Sequence, residues 1–176
     1  MTAVYRLGQG LRALAALILP LPLDTTLAER FLTPQEMILF RRLKRSEQQH
    51  SLRVLRAVLT QADETPPALA AAALLHDVGK TRYPVGLIGK TLPVLVKIIA
   101  PERITRWSQG DPAHPLIRPF ITYCHHPAYS GELLQAAGSD PDVVWLAAHH
   151  AESPDCWGGH PLLPLLIRLQ AADDKS

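Results

Sequence analysis

Leu69-Ala70-Ala71-Ala72-Ala73-Leu74-Leu75-His76-Asp77-Val78-Gly79-Lys80 is the stretch on which both the fold and the chemistry turn. Its first seven residues are apolar without a break, which predicts a helix buried on every side. The alanines among them leave room for close neighbours. A histidine, an aspartate and a lysine then arrive where that buried helix ends. Burying a charge is costly unless it is paired or bound to a metal, so this ending points to a site rather than to packing.

Working outward, Thr65-Pro66-Pro67 breaks the chain ahead of the helix and starts it. Further upstream, Thr33, Pro34 and Glu36 have the form of a capping box with proline in the first turn. Ser46 with Gln49 offers a second box, so residues 34–45 and 47–62 are expected as two helices or one bent one. His50 shares a face with Val54, Ala57, Val58 and Gln61 and can therefore point inward.

Downstream, Pro84, Gly86 and Gly89 predict irregular chain over 81–92. A helix is expected from Pro93 towards Trp107, interrupted at Pro101, then a loop over 110–115. Helices follow over 116–126 and 132–137, the second closed by Gly138. Pro141 opens another that ends at His149-His150, residues 151–161 form a loop, and 162–172 make the last helix. Hardly any stretch alternates with period two, so the expected fold is all-α, a helical bundle.

A chain of 176 residues suits one domain with a real core, and 47% apolar against 19% charged residues is a globular composition. The net charge of +2 comes with no long lysine–arginine stripe, which argues against a nucleic-acid partner. Arg41, Arg42, Lys44 and Arg45 form the densest basic cluster and are expected as a solvated helix face. Cys124 and Cys156 make no CxxC pair, so reduced thiols and a cytoplasmic location are the simplest expectation.

Near the N-terminus, Val4, Leu7, Leu11, Leu14 and Ile18 repeat at helical spacing, with Arg6, Gln9 and Arg12 off the stripe. The segment loosely imitates an export signal, but Pro20 and Pro22 end it where a small-x-small cleavage site would follow. Residues 1–32 are thus expected as an amphipathic helix packed on a domain spanning 33–176, with membrane-surface attachment as a weaker option. No run approaches the ~20 apolar residues of a spanning helix. Nothing in the pattern sets an oligomeric state.

The eight histidines are 50, 76, 114, 125, 126, 149, 150 and 160. His114 and His160 sit among loop residues and are expected to be structural. Of His125 and His126, only one need face a site. His50, the His76-Asp77 pair, His126, His149 and Asp173 fall on separate helices, each near a point where an apolar face meets a loop. Helical bundles build metal sites in this way, and imidazoles mixed with carboxylates suit iron, manganese or zinc.

In this order the residues resemble the HD-domain superfamily of metal-dependent phosphohydrolases, whose pattern is a histidine, then His-Asp, then a distal aspartate. His50, His76-Asp77 and Asp173 fill those places, with Asp174 the alternative to Asp173. His-Asp-x-Gly-Lys, the segment from His126-Pro127 to Leu134, and His149-His150 are similar to the HD-GYP-like branch. Ser130 stands where that branch has glycine. The stretch after His150 keeps only the outline of its Gly-Tyr-Pro segment, with His160 in the tyrosine's place, so cyclic dinucleotide hydrolysis does not carry over.

The resemblance implies one or two divalent ions. Asp77 would bridge them, His50, His76 and Asp173 would complete one shell, and His126 with His149 would hold the other. His150 would join them or lie behind. Asp77 and Lys80 would then serve catalysis on a small phosphoester, plausibly a nucleotide, by a metal-activated water, Lys80 reaching the phosphate. The rival is a regulatory or binding module that keeps the metal site without turnover. An HD-fold oxygenase with a similar ligand set is a third reading, against which the lysine after His-Asp speaks.

Overall fold

In the computed structural model, residues 23–176 are described, and the amphipathic helix expected near the N-terminus falls largely outside them. Among these residues nine α-helices follow one another with no strand. They are α1 (Thr26–Glu29), α2 (Pro34–Arg42), α3 (Arg45–Leu59), α4 (Pro67–Leu75), α5 (Leu87–Ile99), α6 (Pro101–Ser108), α7 (Arg118–Ala136), α8 (Pro141–His149) and α9 (Leu163–Lys175). Short 3-10 turns occupy Val78–Thr81 and Pro154–Trp157. None of these helices is long and apolar enough to cross a membrane.

The all-α expectation holds, and α4 is its axis. Every residue from 69 to 75 is buried. Against this alanine-rich rod pack α2, α3, α8 and α9. Phe40, Leu55, Leu134, Leu146, Leu166 and Leu169, all but excluded from solvent, fill the space around it. A smaller cluster of Val96, Ile104 and Phe120 joins α5, α6 and α7. Ala28 and Leu32 belong to the main core, so the chain ahead of residue 33 already contributes to it.

The capping box at α2 forms as expected: Thr33 Oγ1 accepts from Glu36 N, and Glu36 returns a carboxylate oxygen to Thr33 N at 2.9 Å. At α3 the helix starts earlier than the Ser46–Gln49 pattern suggests. Glu47 Oε2 accepts from Lys44 N at 2.9 Å, which makes Lys44 the cap residue. Gln48 Nε2 reaches the carbonyls of Phe40, Arg41 and Leu43 and so closes the end of α2. The two helices are therefore separate.

Two other expectations need correction. Helix α5 already begins at Leu87, inside the stretch expected to be irregular, and runs through Pro93. Helix α7 is continuous from Arg118 to Ala136, although a break was expected around Pro127. Proline lacks the N–H that would bond the carbonyl four residues earlier, here that of Tyr123. His126 Nδ1 stands 3.1 Å from both Thr122 O and Tyr123 O, and its N–H takes up the freed acceptor. The helix survives its proline because a neighbouring imidazole replaces the missing donor.

The turn after α4 is pressed against α7. Ser130 Oγ, fully buried, donates to His76 O at 2.6 Å and accepts from Gly79 N at 2.8 Å. A Cβ on Gly79 would come 2.0 Å from His126 O and 2.6 Å from Ser130 N. The glycine of the His-Asp-x-Gly-Lys stretch is thus there for close approach. It lets the His76-Asp77 corner lie directly on the helix that carries His126.

Candidate metal centre

Four helices and the corner after α4 converge on Asp77, a residue only 3% exposed. Its two carboxylate oxygens face different partners. On the Oδ2 side stand His76 Nε2 at 3.7 Å and His50 Nε2 at 4.0 Å, with Lys80 Nζ at 2.5 Å. On the Oδ1 side stand His126 Nε2 at 3.2 Å and His150 Nε2 at 3.8 Å. Asp173, from α9, places Oδ1 2.8 Å from His50 Nε2 and 3.6 Å from His76 Nε2. Two groups able to hold a metal result, His50–His76–Asp77 and Asp77–His126–His150, with Asp77 common to both.

The imidazoles are oriented by the backbone. His76 Nδ1 lies 3.1 Å from Ala73 O, His150 Nδ1 lies 2.8 Å from Ala147 O, and His126 is held as described above. Each carbonyl takes the Nδ1 proton, which leaves Nε2 as the lone pair aimed at the carboxylates. His76 Nε2 is buried and has no hydrogen-bond partner. A buried, unsatisfied lone pair beside two carboxylates and three further imidazoles fits a divalent cation.

The electrostatics agree with a site built for cations. Burial alone would raise the pKa of Asp77, but Lys80, His76 and His126 outweigh it and hold the carboxyl well below its usual range. Burial would likewise raise Asp173, and the hydrogen bond from His50 together with the nearness of His76 instead keeps it ionised. Lys80 loses solvation yet gains Asp77, so its ammonium is held above the ordinary lysine value. Burial, and then the neighbouring His76 and His126, push His150 down to about 3, which keeps it a neutral donor. For His76, burial is overcome by Asp77 and Asp173, which raise its pKa.

His50, His76, Asp77, His126, His150, Asp173 and Lys80 are therefore brought together, whereas His149 is not. His149 Nδ1 lies 3.2 Å from Glu152 Oε1, and its ring packs 4.2 Å from that of Trp157 and 4.8 Å from that of Trp145. The inward ring is that of His150, whose centroid lies 5.1 Å from His126 and 4.9 Å from His76. His125 turns away to Ser108 O at 3.1 Å, and His160 stacks flat on Trp145. Glu47 is a buried carboxylate at the edge of the cleft that the sequence reading missed: its Oε1 holds Lys90 Nζ at 2.5 Å. Its place at the third helical position, with a lysine as cap residue, was the available signal.

A cleft of about 630 Å³ opens over the cluster, joining Lys44, Lys80 and Lys90 to the apolar surfaces of Pro93, Pro119 and Tyr123. Against this geometry stands one comparison that matches: the family model described as HD domain covers residues 48–176. The chain belongs to the HD domain family. The HD family is one of metal-dependent phosphohydrolases, and the histidine–aspartate cluster around His76-Asp77 could hold a metal. No curated protein and no solved structure matches the chain.

Proposed function

We propose that the protein is a metal-dependent phosphohydrolase that cleaves a phosphomonoester or phosphodiester, of nucleotide kind. The observation that carries this reading is the single Asp77 carboxylate turned towards a histidine pair on each side. In this reading His50, His76, Asp77 and Asp173 hold one divalent ion, and Asp77, His126 and His150 hold the other, with iron, manganese or zinc the suitable metals. When bound, such ions supply an acidified water and neutralise charge on the phosphoryl oxygens. His150 replaces His149 as the inward ligand, because His149 belongs to the tryptophan side of α8.

The chain's own groups do the rest. Asp173 and the backbone carbonyls fix the imidazoles, so the donors are placed before anything binds. Lys80 reaches forward from the turn after Asp77 and stays charged, which suits it to meet phosphoryl oxygens. The cleft is of a size that takes a nucleotide, and Tyr123 offers it an aromatic surface. The likeness to the HD-GYP-like branch at His126-Pro127 and at His149-His150 supports a second ion, while the altered stretch over 151–161 leaves the substrate's organic part open. A reducing, cytoplasmic setting suits the free Cys124 and Cys156.

The test is metal analysis on protein purified without chelators, followed by a phosphoester screen with the same metal. One to two equivalents and a hydrolysable ester are expected. A folded protein that is metal-free and cannot be reloaded would overturn the reading. Lys80→Met should keep its metal and lose roughly 10²–10³-fold in kcat, as when one preorganised donor is removed. Unchanged turnover would remove Lys80 from the chemistry.

The two adjacent histidines give a sharper contrast. His150→Ala should lose one ion, since disturbing an outer partner alone costs about 10- to 100-fold in metal affinity and removing a ligand costs more. His149→Ala should keep the full metal content. Plasma emission analysis of both variants side by side decides the matter, and the opposite pattern would restore His149 as the ligand.

A further inference from the structure

Behind Lys80 the surface holds a second hollow, of about 320 Å³, that shares Lys44, Glu47, Lys80 and Pro84 with the main cleft. Its remaining lining is Arg42, Thr81, Arg82 and Leu133. Four cationic side chains thus surround it against one carboxylate. That carboxylate is already committed: Glu47 Oε1 holds Lys90 Nζ, and Oε2 accepts from Lys44 N. Arg42 makes no ion pair or hydrogen bond with the described residues. Lys44 Nζ donates to a neutral group, Val85 O, at 2.6 Å, and forms no ion pair with a carboxylate among the described residues. Arg82 is braced by Glu132 and by the Tyr129 ring, 4.6 Å away, which aims it.

We infer that this hollow is a subsite for a second phosphoryl group of the substrate, so that the preferred ligand carries two linked phosphates. The inference rests on the proposed phosphohydrolase reading. Lys80 lines both spaces, and its ammonium is held by Asp77 at the head of the main cleft. A phosphate at Asp77 therefore has a cationic exit towards Arg42, Lys44 and Arg82. The annex offers guanidinium forks and ammonium groups but no aromatic face, which suits phosphate rather than a base. Tyr123, Pro93 and Pro119 lie in the main cleft, where the organic part belongs. The basic cluster at the α2–α3 junction, unremarkable as a helix face, gains a role from this placement.

The experiment measures equilibrium binding by calorimetry on the metal-loaded protein, with inorganic phosphate and with methylenebisphosphonate, a diphosphate that cannot be cleaved. Wild type should bind the bisphosphonate at least tenfold more tightly than phosphate, since each charge-assisted hydrogen bond is worth about a factor of ten or more. In the Arg42→Ala/Lys44→Met variant that preference should fall at least tenfold. Chelation by the probe is common to both proteins and cancels in the comparison. Arg42→Glu, at an exposed position whose side chain has no partner among the described residues, provides a second variant whose fold is not at issue and should lower the preference in the same direction.

An unchanged preference in both variants, or no preference in wild type, overturns the subsite. If the protein loads metal and hydrolyses esters while the variants change nothing, the subsite alone fails. If it binds no metal yet keeps a variant-sensitive preference for the bisphosphonate over phosphate, the subsite stands and the hydrolase reading fails.

Discussion

Asparagine in place of Asp77 should remove both ions of the proposed centre in a single step while leaving the fold in place. The carboxylate is shared, Oδ2 facing His50 and His76 and Oδ1 facing His126 and His150, so neither half can keep its full donor set without it. Asparagine preserves shape but offers one weak oxygen acceptor where there were two charged ones. Metal content should fall below a tenth of wild type, and hydrolysis by more than ~100-fold, since even outer-partner changes reach 10- to 100-fold. Stability should suffer less than the ~3–5 kcal/mol of a broken buried pair, because Lys80 has 31% of its side chain exposed and can turn to water. Emission analysis with a thermal melt on the same sample checks both parts. A variant that loses only one ion would show that the halves are independent and that Asp77 does not bridge them.

Gly79→Ala should have the opposite signature, with the fold failing before the chemistry. The added methyl would stand 2.0 Å from His126 O and 2.6 Å from Ser130 N, both backbone atoms that cannot swing aside. Overpacking of a close contact costs about 1–3 kcal/mol and occasionally more, and a backbone-to-backbone clash belongs at the upper end, about 3 kcal/mol. For a domain of this size that lowers Tm by roughly 6–12 °C. Relief would require the His76–Gly79 turn to lift from α7, which separates Asp77 from His126 and frees Ser130 from His76 O and Gly79 N. Differential scanning calorimetry reads the loss, and an unchanged Tm would mean that the corner is not pressed onto α7.

Much of this was readable in the chain. Seven apolar residues ending in His-Asp announce a buried helix that delivers ligands, and the structure has α4 in that place. The three-residue pattern at Thr33–Glu36 set its own capping. Where reading failed, the reason is local. At Pro127 proline argues for a break, and the ring of the residue just before it, His126, offsets the lost bond by turning back to the Tyr123 carbonyl, a rotamer that the pattern of residue types does not reveal.

The choice between His149 and His150 shows a different failure. Val143, Leu146, Ala147 and His150 lie at helical spacing on the buried side of α8, whereas His149 is four residues from Trp145 and pairs with it. That stripe was legible, and the family likeness outweighed it. The pairing of Glu47 with Lys90 could not be found by such means. Forty-three positions apart, they meet because the start of α3 and the start of α5 are folded onto one another.

The proline in α7 carries a consequence for binding thermodynamics. Because Pro127 leaves the Tyr123 carbonyl without its usual donor, His126 is held in one tautomer and one rotamer by a bond that folding itself creates. The rotational freedom of that imidazole is surrendered when the chain folds, along with that of His76 and His150, and not when an ion arrives. Ordering side chains at the moment of binding would weaken affinity by about 0.5–1.5 kcal/mol for each one immobilised. An absent hydrogen on a backbone nitrogen is thereby converted into tighter capture at a carboxylate on another segment of the chain.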